Sequence, residues 1–444
     1  MTDEAEARPK ISPLQANYCL ILLMLAQALN FLDRGIINIL LESIKKDMAL
    51  SDTMMGFLSG FAFVLFYSVF GIPVARLADI GSRRTIISLG LLVWSAMTAI
   101  SGLAQNVVQL AMARFGVGIG EAAGQAPAHS MISDYFPKEK RARALAIFQA
   151  GAYIGTFLGY FIGGWVELYY GWRVAFAVAG LPGIVLAIVL YLTVAEPPRG
   201  QSETAKIDVG RTSFADAVRF LLSQRAFVLT VFGGALLGFD LYAFSVWLPA
   251  FLGRVHHLNS GEIGTYAGIV RGACGPIGLL LGGFIVERLS ARSEKWQLWA
   301  PAIASALACP VLLYALHTGS LPVSIVCFGV SSVLLAFHMG PIFAVVQATA
   351  KPRMRALATA SFYLVVTVVG LGVAPLIIGV ANDTLRPTYG ATAIRYSLML
   401  PAVVTVLGGA LFWWAAQYIQ HDVKRAEALR AWEERPWSRH SNLS

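Results

Sequence analysis

The sequence is short of charge. Only 13% of its 444 residues are Asp, Glu, Lys or Arg, about half of the ~25% usual in a soluble domain. A chain this long would ordinarily divide into about three globular domains, yet too little charge is present to cover three soluble cores. That shortage excludes a cytosolic protein, a disordered one and a nucleic-acid binder, despite a net charge of +9. Cysteine is also scarce. Cys19, Cys274, Cys309 and Cys327 each stand alone in an apolar stretch, which excludes a disulfide framework and a metal cage and leaves them as small buried hydrophobes. No nucleophile elbow, phosphate loop or metal-ligand cluster is present. The run Gly116-Val117-Gly118-Ile119-Gly120 lies inside an apolar segment with no strand before it, so it is not a dinucleotide loop. An enzyme, a bound metal and an organic cofactor are therefore not expected.

What is abundant is apolar sequence, 57% of the chain. Crossing the hydrocarbon takes roughly 20 apolar residues in a helix. Twelve segments qualify, near 17–41, 54–75, 85–104, 107–135, 142–165, 172–194, 226–252, 261–286, 296–316, 322–349, 356–381 and 393–418. The expected architecture is an all-α integral membrane protein with twelve transmembrane helices. Residues 1–16 are polar and the first span is long, so it does not read as a cleaved signal peptide. With the N-terminus inside, the inner loops and tails hold 25 of the 34 Lys and Arg, the outer loops 6 and the spans 3. This is the positive-inside pattern and predicts both termini in the cytoplasm. Short outer loops point to a bacterial inner (plasma) membrane.

The expected organisation is a tail over 1–16, a six-helix bundle over 17–194, a linker over 195–225, a second bundle over 226–418 and a tail over 419–444. The linker opens with Glu196-Pro197-Pro198-Arg199-Gly200, which stops the sixth helix. Ser213-Phe214-Ala215-Asp216 then reads as a capping box ahead of Val218, Leu221 and Leu222. A short amphipathic helix on the inner membrane surface is expected there. The tail, with Lys424, Arg425, Arg430 and Trp432, also has a helical pattern.

The two halves are related. Arg141-Ala142-Arg143-Ala144-Leu145-Ala146 recurs as Arg353-Met354-Arg355-Ala356-Leu357-Ala358 at an offset of 212, and Phe115-Gly116-Val117 as Phe328-Gly329-Val330 at 213. Asp33 and Asp240 (207 apart) and Asp79 and Glu287 (208 apart) keep the same order. Parallel six-helix repeats characterise the major facilitator fold, in which substrate binds between two rocking halves. Ala75 to Arg84 resembles that superfamily's loop motif after the second helix, and Gly283 to Arg288 is a decayed copy. The resemblance implies a cytoplasmic latch formed by Asp79, Arg83, Arg84 and Glu287, a carboxylate at one helix end holding a neighbouring helix or its Arg. Ser82 replaces the usual glycine and Ile80 a usual basic residue.

A narrower resemblance rests on Asn30-Phe31-Leu32-Asp33-Arg34, on Arg114 through Glu121-Ala122, on Ser133-Asp134-Tyr135-Phe136, on Arg141 to Phe148, on Gly155 to Tyr160 and on Glu196 to Gly200. In order, these resemble the signatures of the spinster-like lipid transporters over most of the first half. Residues Ala123 to Ala128 depart from that pattern. The resemblance implies movement of lysophospholipids or sphingoid-type lipids, in several members coupled to protons.

Independently of any family, six charged residues lie deep within the spans: Asp33, Arg34, Arg114, Glu121, Asp240 and Arg271. Each would cost at least ~2.5–3.5 kcal/mol facing lipid at mid-membrane. At ~1.5 Å per residue, Asp33 and Glu121 fall at matching depths of roughly 24 and 21 Å. They are expected to carry protons, with Arg34 and Arg114 balancing their charge and meeting the substrate headgroup. Burial raises a carboxylate pKa and a nearby guanidinium lowers it, so such a group can exchange a proton. The competing reading is a permanent salt bridge. Asp240 and Arg271 are expected to form a second-half charge pair, structural, gating or in contact with substrate. By the repeat offset, Glu121 corresponds to Leu334, Arg114 to Cys327 and Gln125 to His338. A cavity charged on one side and apolar on the other suits an amphipathic molecule. Asn30, Gln125 and His338 are its polar candidates, although a lone buried His more often packs.

Glycines 151, 155, 159 and 163 recur every four residues along the fifth span. The spacing lets a neighbouring helix approach closely. It also resembles the fifth-helix pattern of antiporters, with Tyr160 in place of the usual proline. The chain is thus read as a monomeric transporter of amphipathic lipid, coupled to protons with no other cofactor, working by alternating access in contact with membrane lipids and no nucleic acid. The rival readings are a proton-coupled small organic anion symporter and a hydrophobic drug exporter; a non-transporting receptor would not need buried titratable charges.

Overall fold

A computed structural model of the chain describes residues 12–198, 214–351 and 354–433. Arg199 and Gly200, Ser213 of the expected capping box and Arg353 of the repeat lie outside these, as do the side chains of Asp79, Arg430 and Trp432. Among the described residues the regular structure is helical and no strand occurs. We number the helices α1 (Pro13–Asp47), α2 (52–80), α3 (Arg83–Ser101), α4 (107–135), α5 (Lys138–Tyr170), α6 (Trp172–Thr193), α7 (Phe214–Ser223), α8 (Arg225–His256), α9 (260–290), α10 (Trp296–His317), α11 (321–348), α12 (355–389) and α13 (393–433).

All twelve apolar segments fall on helix. Ten continuous stretches among the described residues are long and apolar enough to cross a membrane. The difference has two local causes. In α4, residues 122–124 interrupt the helix between Val107–Glu121 and Gln125–Tyr135, leaving two short pieces. The last two spans run together as Leu357–Ala426, joined by a tight turn in which Gly390 has φ +57°.

The chain forms two compact units. One holds the described residues up to Ile44 and those from Leu65 to Pro198; the other holds Lys45–Val64 and the described residues from Phe214 onward.

In the first unit, the glycine ladder of α5 lies directly on the backbone of α1. A Cβ at Gly151 would come within 2.3 Å of the Met24 carbonyl oxygen, at Gly155 within 1.9 Å of that of Ala28, and at Gly159 within 2.5 Å of that of Leu32. This is the close approach that a small residue every four positions allows. It pins the stretch of α1 that carries Asn30, Asp33 and Arg34. Buried Tyr160 adds a polar tie, its hydroxyl accepting from Asn38 Nδ2 at 3.3 Å.

In the second unit, α2 begins against α12. Cβ atoms at Gly56 and Gly60 would meet the carbonyl oxygens of Pro375 and Leu371 at 2.3 and 2.2 Å, and one at Gly379 that of Asp52 at 2.4 Å. Each partner carries a π-helical turn at this seam, Phe57–Phe61 in α2 and Thr367–Val373 in α12. Such turns frequently mark functional positions. Deeper in this unit, Phe227, Val231, Ile342, Val346, Phe362 and Phe412 pack in one apolar cluster joining α8, α11, α12 and α13.

The α1–α5 seam makes a direct prediction. Overpacking a tight contact costs about 1–3 kcal/mol, so Gly155→Ala should lower the melting temperature of the detergent-solubilised protein. Gly71→Ala, where an added methyl meets nothing within 4 Å, should leave it unchanged or raise it. Equal behaviour of the two variants would contradict the seam.

Candidate functional site

Two crossed ion pairs join α1 and α4. Arg34 of α1 grips Oε2 of Glu121 on α4 with both Nε, at 2.8 Å, and Nη2, at 2.6 Å. In the opposite sense, Arg114 of α4 donates from Nη1 to Oδ2 of Asp33 on α1 at 3.3 Å. Thr98 of α3 completes the group by donating its hydroxyl to Oδ1 of Asp33. The pairing follows from helical spacing. Asp33 and Arg34 are adjacent on α1, while Arg114 and Glu121 are seven residues apart and so share one face of α4. Contact of α3 with α4 is tight here, a Cβ at Gly120 falling 2.6 Å from the backbone nitrogen of Trp94.

The four charges are not equivalent. Asp33, Arg114 and Glu121 are buried, whereas the Arg34 side chain retains 22% exposure. Arg34 lies beside two aromatic rings, its guanidinium carbon 5.1 Å from the ring centre of Phe31 and 5.7 Å from that of Tyr67. Glu121 Oε1 is buried with no hydrogen-bond partner, as is Nε of Arg114. The cluster thus offers one accessible cation held by a carboxylate with one oxygen to spare. Asn30 is buried one turn before Asp33, and Gln125 is half-buried where α4 resumes.

In the second half the two expected charges interact at a distance and not in contact. Asp240 and Arg271 form no direct ion pair. Arg271 Nη2 donates to the Leu241 carbonyl oxygen at 2.8 Å, and buried Asp240 Oδ1 has no hydrogen-bond partner. Arg271 sits in a π-helical turn, Ile269–Ala273. His338 is buried where α11 breaks, its Nδ1 bonded to the Leu335 carbonyl. This is the packing arrangement weighed against substrate contact.

The latch residues also distribute differently from expectation. Arg83 is buried and reaches Asp134 (Nη1), Glu196 (Nε, 2.8 Å), Ser130 (2.9 Å) and the Pro197 carbonyl (2.8 Å). Arg84 donates its backbone N–H to Glu196 at 2.8 Å and Nη1 to the Val194 carbonyl at 3.2 Å. Among the described residues, the acidic partners of Arg83 are therefore Asp134 and Glu196, and that of the Arg84 backbone is Glu196. Glu287 is exposed, with no ion pair among the described residues. Burial pushes the Glu196 carboxyl up, but the Arg84 N–H, the Arg83 guanidinium and the Ser82 hydroxyl outweigh it and hold it below its usual range.

One charge cluster escaped the sequence reading. Buried Asp52, at the start of α2, accepts from Arg254 of α8 at 2.6 and 2.8 Å and from Lys45. Asp383 of α12 receives the backbone N–H groups of Asp52 (3.1 Å) and Thr53 (2.8 Å) and the Thr53 hydroxyl (2.7 Å). A carboxylate is favoured at a helix N-terminus by the orphan N–H groups there. In sequence these residues sit at span ends, where charge is ordinary, so no pattern singles them out.

Against known proteins, residues 23–375 match the profile of the Major Facilitator Superfamily. An "MFS-type efflux pump" of Mycolicibacterium smegmatis is 31% identical over 402 residues, covering 90% of this chain and 92% of that protein. Protein spinster homolog 3 of Danio rerio is 28% identical over 427 residues, covering 90% and 85%. A sphingosine-1-phosphate transporter of the same fish is 25% identical over 437 residues, covering 91% and 85%. Among solved structures, a bacterial homologue of the human lysosomal transporter Spinster, crystallised inward-facing and unoccupied, superposes with a TM-score of 0.85 at 29% identity, covering 93% of this chain and 99% of that one.

Two predictions follow from the networks at the ends of α2. A carboxyl held below its usual pKa contributes stability above about pH 4.3, lost as pH falls through its lower folded value. Glu196→Gln should therefore lower the melting temperature at pH 7, and this difference from the unsubstituted protein should close as the pH falls below 4.3. A gap that persists undiminished would show that the charge of Glu196 is not what stabilises the network. Removing one partner of a buried ion pair costs about 3–5 kcal/mol. The side chains of Lys45 and Arg254 are 13% and 15% exposed, which places Asp52→Asn toward the lower end. Its melting temperature should fall clearly below that of Asp216→Asn, a change at an exposed carboxylate.

Proposed function

The chain belongs to the major facilitator superfamily, in its spinster-like branch, and from that premise we propose that it moves an amphipathic lipid of lysophospholipid or sphingoid type by alternating access, with protons as the coupling ion. It is a transporter and not an enzyme. The proposed setting is a bacterial inner membrane with both termini in the cytoplasm, consistent with the clustering of Lys and Arg on alternate loops.

The observation that carries this reading is the grip of Arg34 on Glu121, with Glu121 Oε1 buried and unpartnered. A proton added at Oε1 neutralises the carboxylate and weakens its hold on the guanidinium. Arg34, the most accessible of the four charges, can then meet the phosphate or carboxylate of a headgroup. An anionic head on Arg34 and a proton on Glu121 thereby favour each other, which is coupling in the thermodynamic sense. Asp33 performs the same exchange against Arg114, with Thr98 orienting its carboxyl. Phe31 and Tyr67, beside Arg34, offer apolar surface where the head joins the chain. Asn30 and Gln125 supply further polar contacts. The sphingosine-1-phosphate transporter among the relatives supports a lipid with an anionic head. The efflux pump among them supports a second reading, export of hydrophobic drugs.

Proteoliposomes with an imposed pH gradient test the proposal. Lysolipid or sphingoid movement should respond to the gradient, and Glu121→Gln and Asp33→Asn should abolish that response, a loss on the order of 5- to 150-fold for linked sites. Unchanged pH dependence in both variants would overturn the proton-carrier roles. Gradient-driven movement of a hydrophobic dye or a small organic anion, with none of lipid, would overturn the lipid assignment.

A further inference from the structure

Away from the α1–α4 cluster, the second unit gathers cations around α7, which nothing in the transport reading uses. This helix docks by one face, burying Ala217 and Leu221 near the start of α8. Phe220 of α7 is approached by two cations from separate places in the chain, Lys351 Nζ between α11 and α12 at 5.1 Å from its ring centre, and Arg425 Cζ of α13 at 6.0 Å. Arg225, at the start of α8, stands 5.3 Å over Tyr418 of α13. Contacts of this kind hold a cation by its aliphatic stem and the ring face, and Arg225 and Arg425 remain exposed beyond them.

Arg219 and Leu222 complete the outer side of α7, the Arg219 side chain 84% exposed and Leu222 66% exposed. Arg225, Arg355, Lys424 and Arg425 are exposed as well. Among the described residues, two acidic groups lie near this surface. Asp216 is exposed and 3.8 Å from Arg219. Asp422 is buried, turned to the Ala226 N–H at 2.7 Å and to His421 Nδ1 at 3.1 Å. Among the described residues, the ends of α8, α12 and α13, the loop before α12 and one side of α7 thus carry six cations, Arg219, Arg225, Lys351, Arg355, Lys424 and Arg425, and α7 also exposes Leu222. An apolar side chain amid cations, on a helix whose opposite face is seated on membrane-spanning helices, matches the boundary between headgroups and acyl chains.

We propose that this surface binds the anionic phospholipid headgroups of the leaflet it faces, Leu222 entering the acyl boundary while the six cations meet phosphate. Anionic lipid would then hold α7 against α8 and α13 from the membrane side, as Phe220 holds it from the protein side.

Native mass spectrometry of the full-length protein, exchanged in detergent with an equal mixture of phosphatidylglycerol and phosphatidylcholine, tests this without substrate or pH gradient, so its outcome is independent of the transport reading. The unsubstituted protein should retain phosphatidylglycerol in excess, and a prior wash in 1 M salt, where screening acts over ~3 Å, should reduce what is carried over. The pair Arg219→Gln with Lys424→Gln, outside the cation–ring contacts described for Phe220, should lower the ratio by about fivefold per cation with the melting temperature kept. Lys351→Gln with Arg425→Gln should lower it similarly. Arg386→Gln, a control on α12, should not. No preference for phosphatidylglycerol in the unsubstituted protein, or a preference unchanged in both charge pairs, would overturn the proposal.

Discussion

The cost of placing charge in hydrocarbon governs this molecule. Lipid offers a buried ion neither water nor counterions, so each charge in a span must find its partner within the protein. The α1–α4 group meets that demand by crossing, each helix contributing one acid and one base. A crossed arrangement fixes more than neutrality. Rotating or sliding α1 against α4 breaks both pairs together, so the register of the two helices is tied to the electrostatics. The glycine seam with α5 supplies the complementary restraint on the other side of α1, where the Ala28 and Leu32 carbonyls lie against glycine backbone. Charge sets the register and close packing holds it.

The remaining charges are treated differently according to where they stand on a helix. Arg83 and Glu196 use helix ends, where backbone N–H and C=O groups are unsatisfied and already seek partners. Arg83 caps nothing itself; it gathers Asp134, Glu196, Ser130 and the Pro197 carbonyl, tying the ends of α3, α4 and α6. The Asp52 and Asp383 carboxylates serve the start of α2 in the same manner, one pairing Arg254 and Lys45, the other taking orphan N–H groups. Glycine–carbonyl contacts adjoin this second network, at Gly56, Gly60 and Gly379. A seam of that kind interlocks no side chains, so its cohesion comes from close van der Waals contact and from the ions beside it.

Much of this was legible before any coordinates. Apolar runs locate helices because hydrocarbon selects for length and composition alone, and all twelve runs are helical. The four charges of α1 and α4 were readable as a set because nothing else in a span explains them, and their pairing follows from adjacency on one helix and a seven-residue interval on the other. The glycine ladder was readable as packing because small side chains at that spacing have little other use. What sequence could not carry were relations depending on helical irregularity or on distant chain segments. The π-helical turn at Ile269–Ala273 moves Arg271 off the register that a regular helix implies. The grouping of residues 45–64 with the second unit, against chain order, depends on glycine contacts with α12, more than three hundred residues away. Lys45, Asp52 and Arg254 look like ordinary span-end charges until the fold brings them together.

The two halves differ in how they solve the same electrostatic problem, and that difference has a direction. Where the first half places Arg114 and Glu121, the repeat offset places Cys327 and Leu334 in the second. Its buried acid, Asp240, keeps an oxygen without a partner, while Arg271 spends a donor on a backbone carbonyl. His338, at the position matching Gln125, has Nδ1 occupied by Leu335. Paired charge is therefore concentrated on α1 and α4, whereas in the second half two of the matching positions are the weakly polar or apolar Cys327 and Leu334 and the acid that remains, Asp240, keeps an oxygen without a partner.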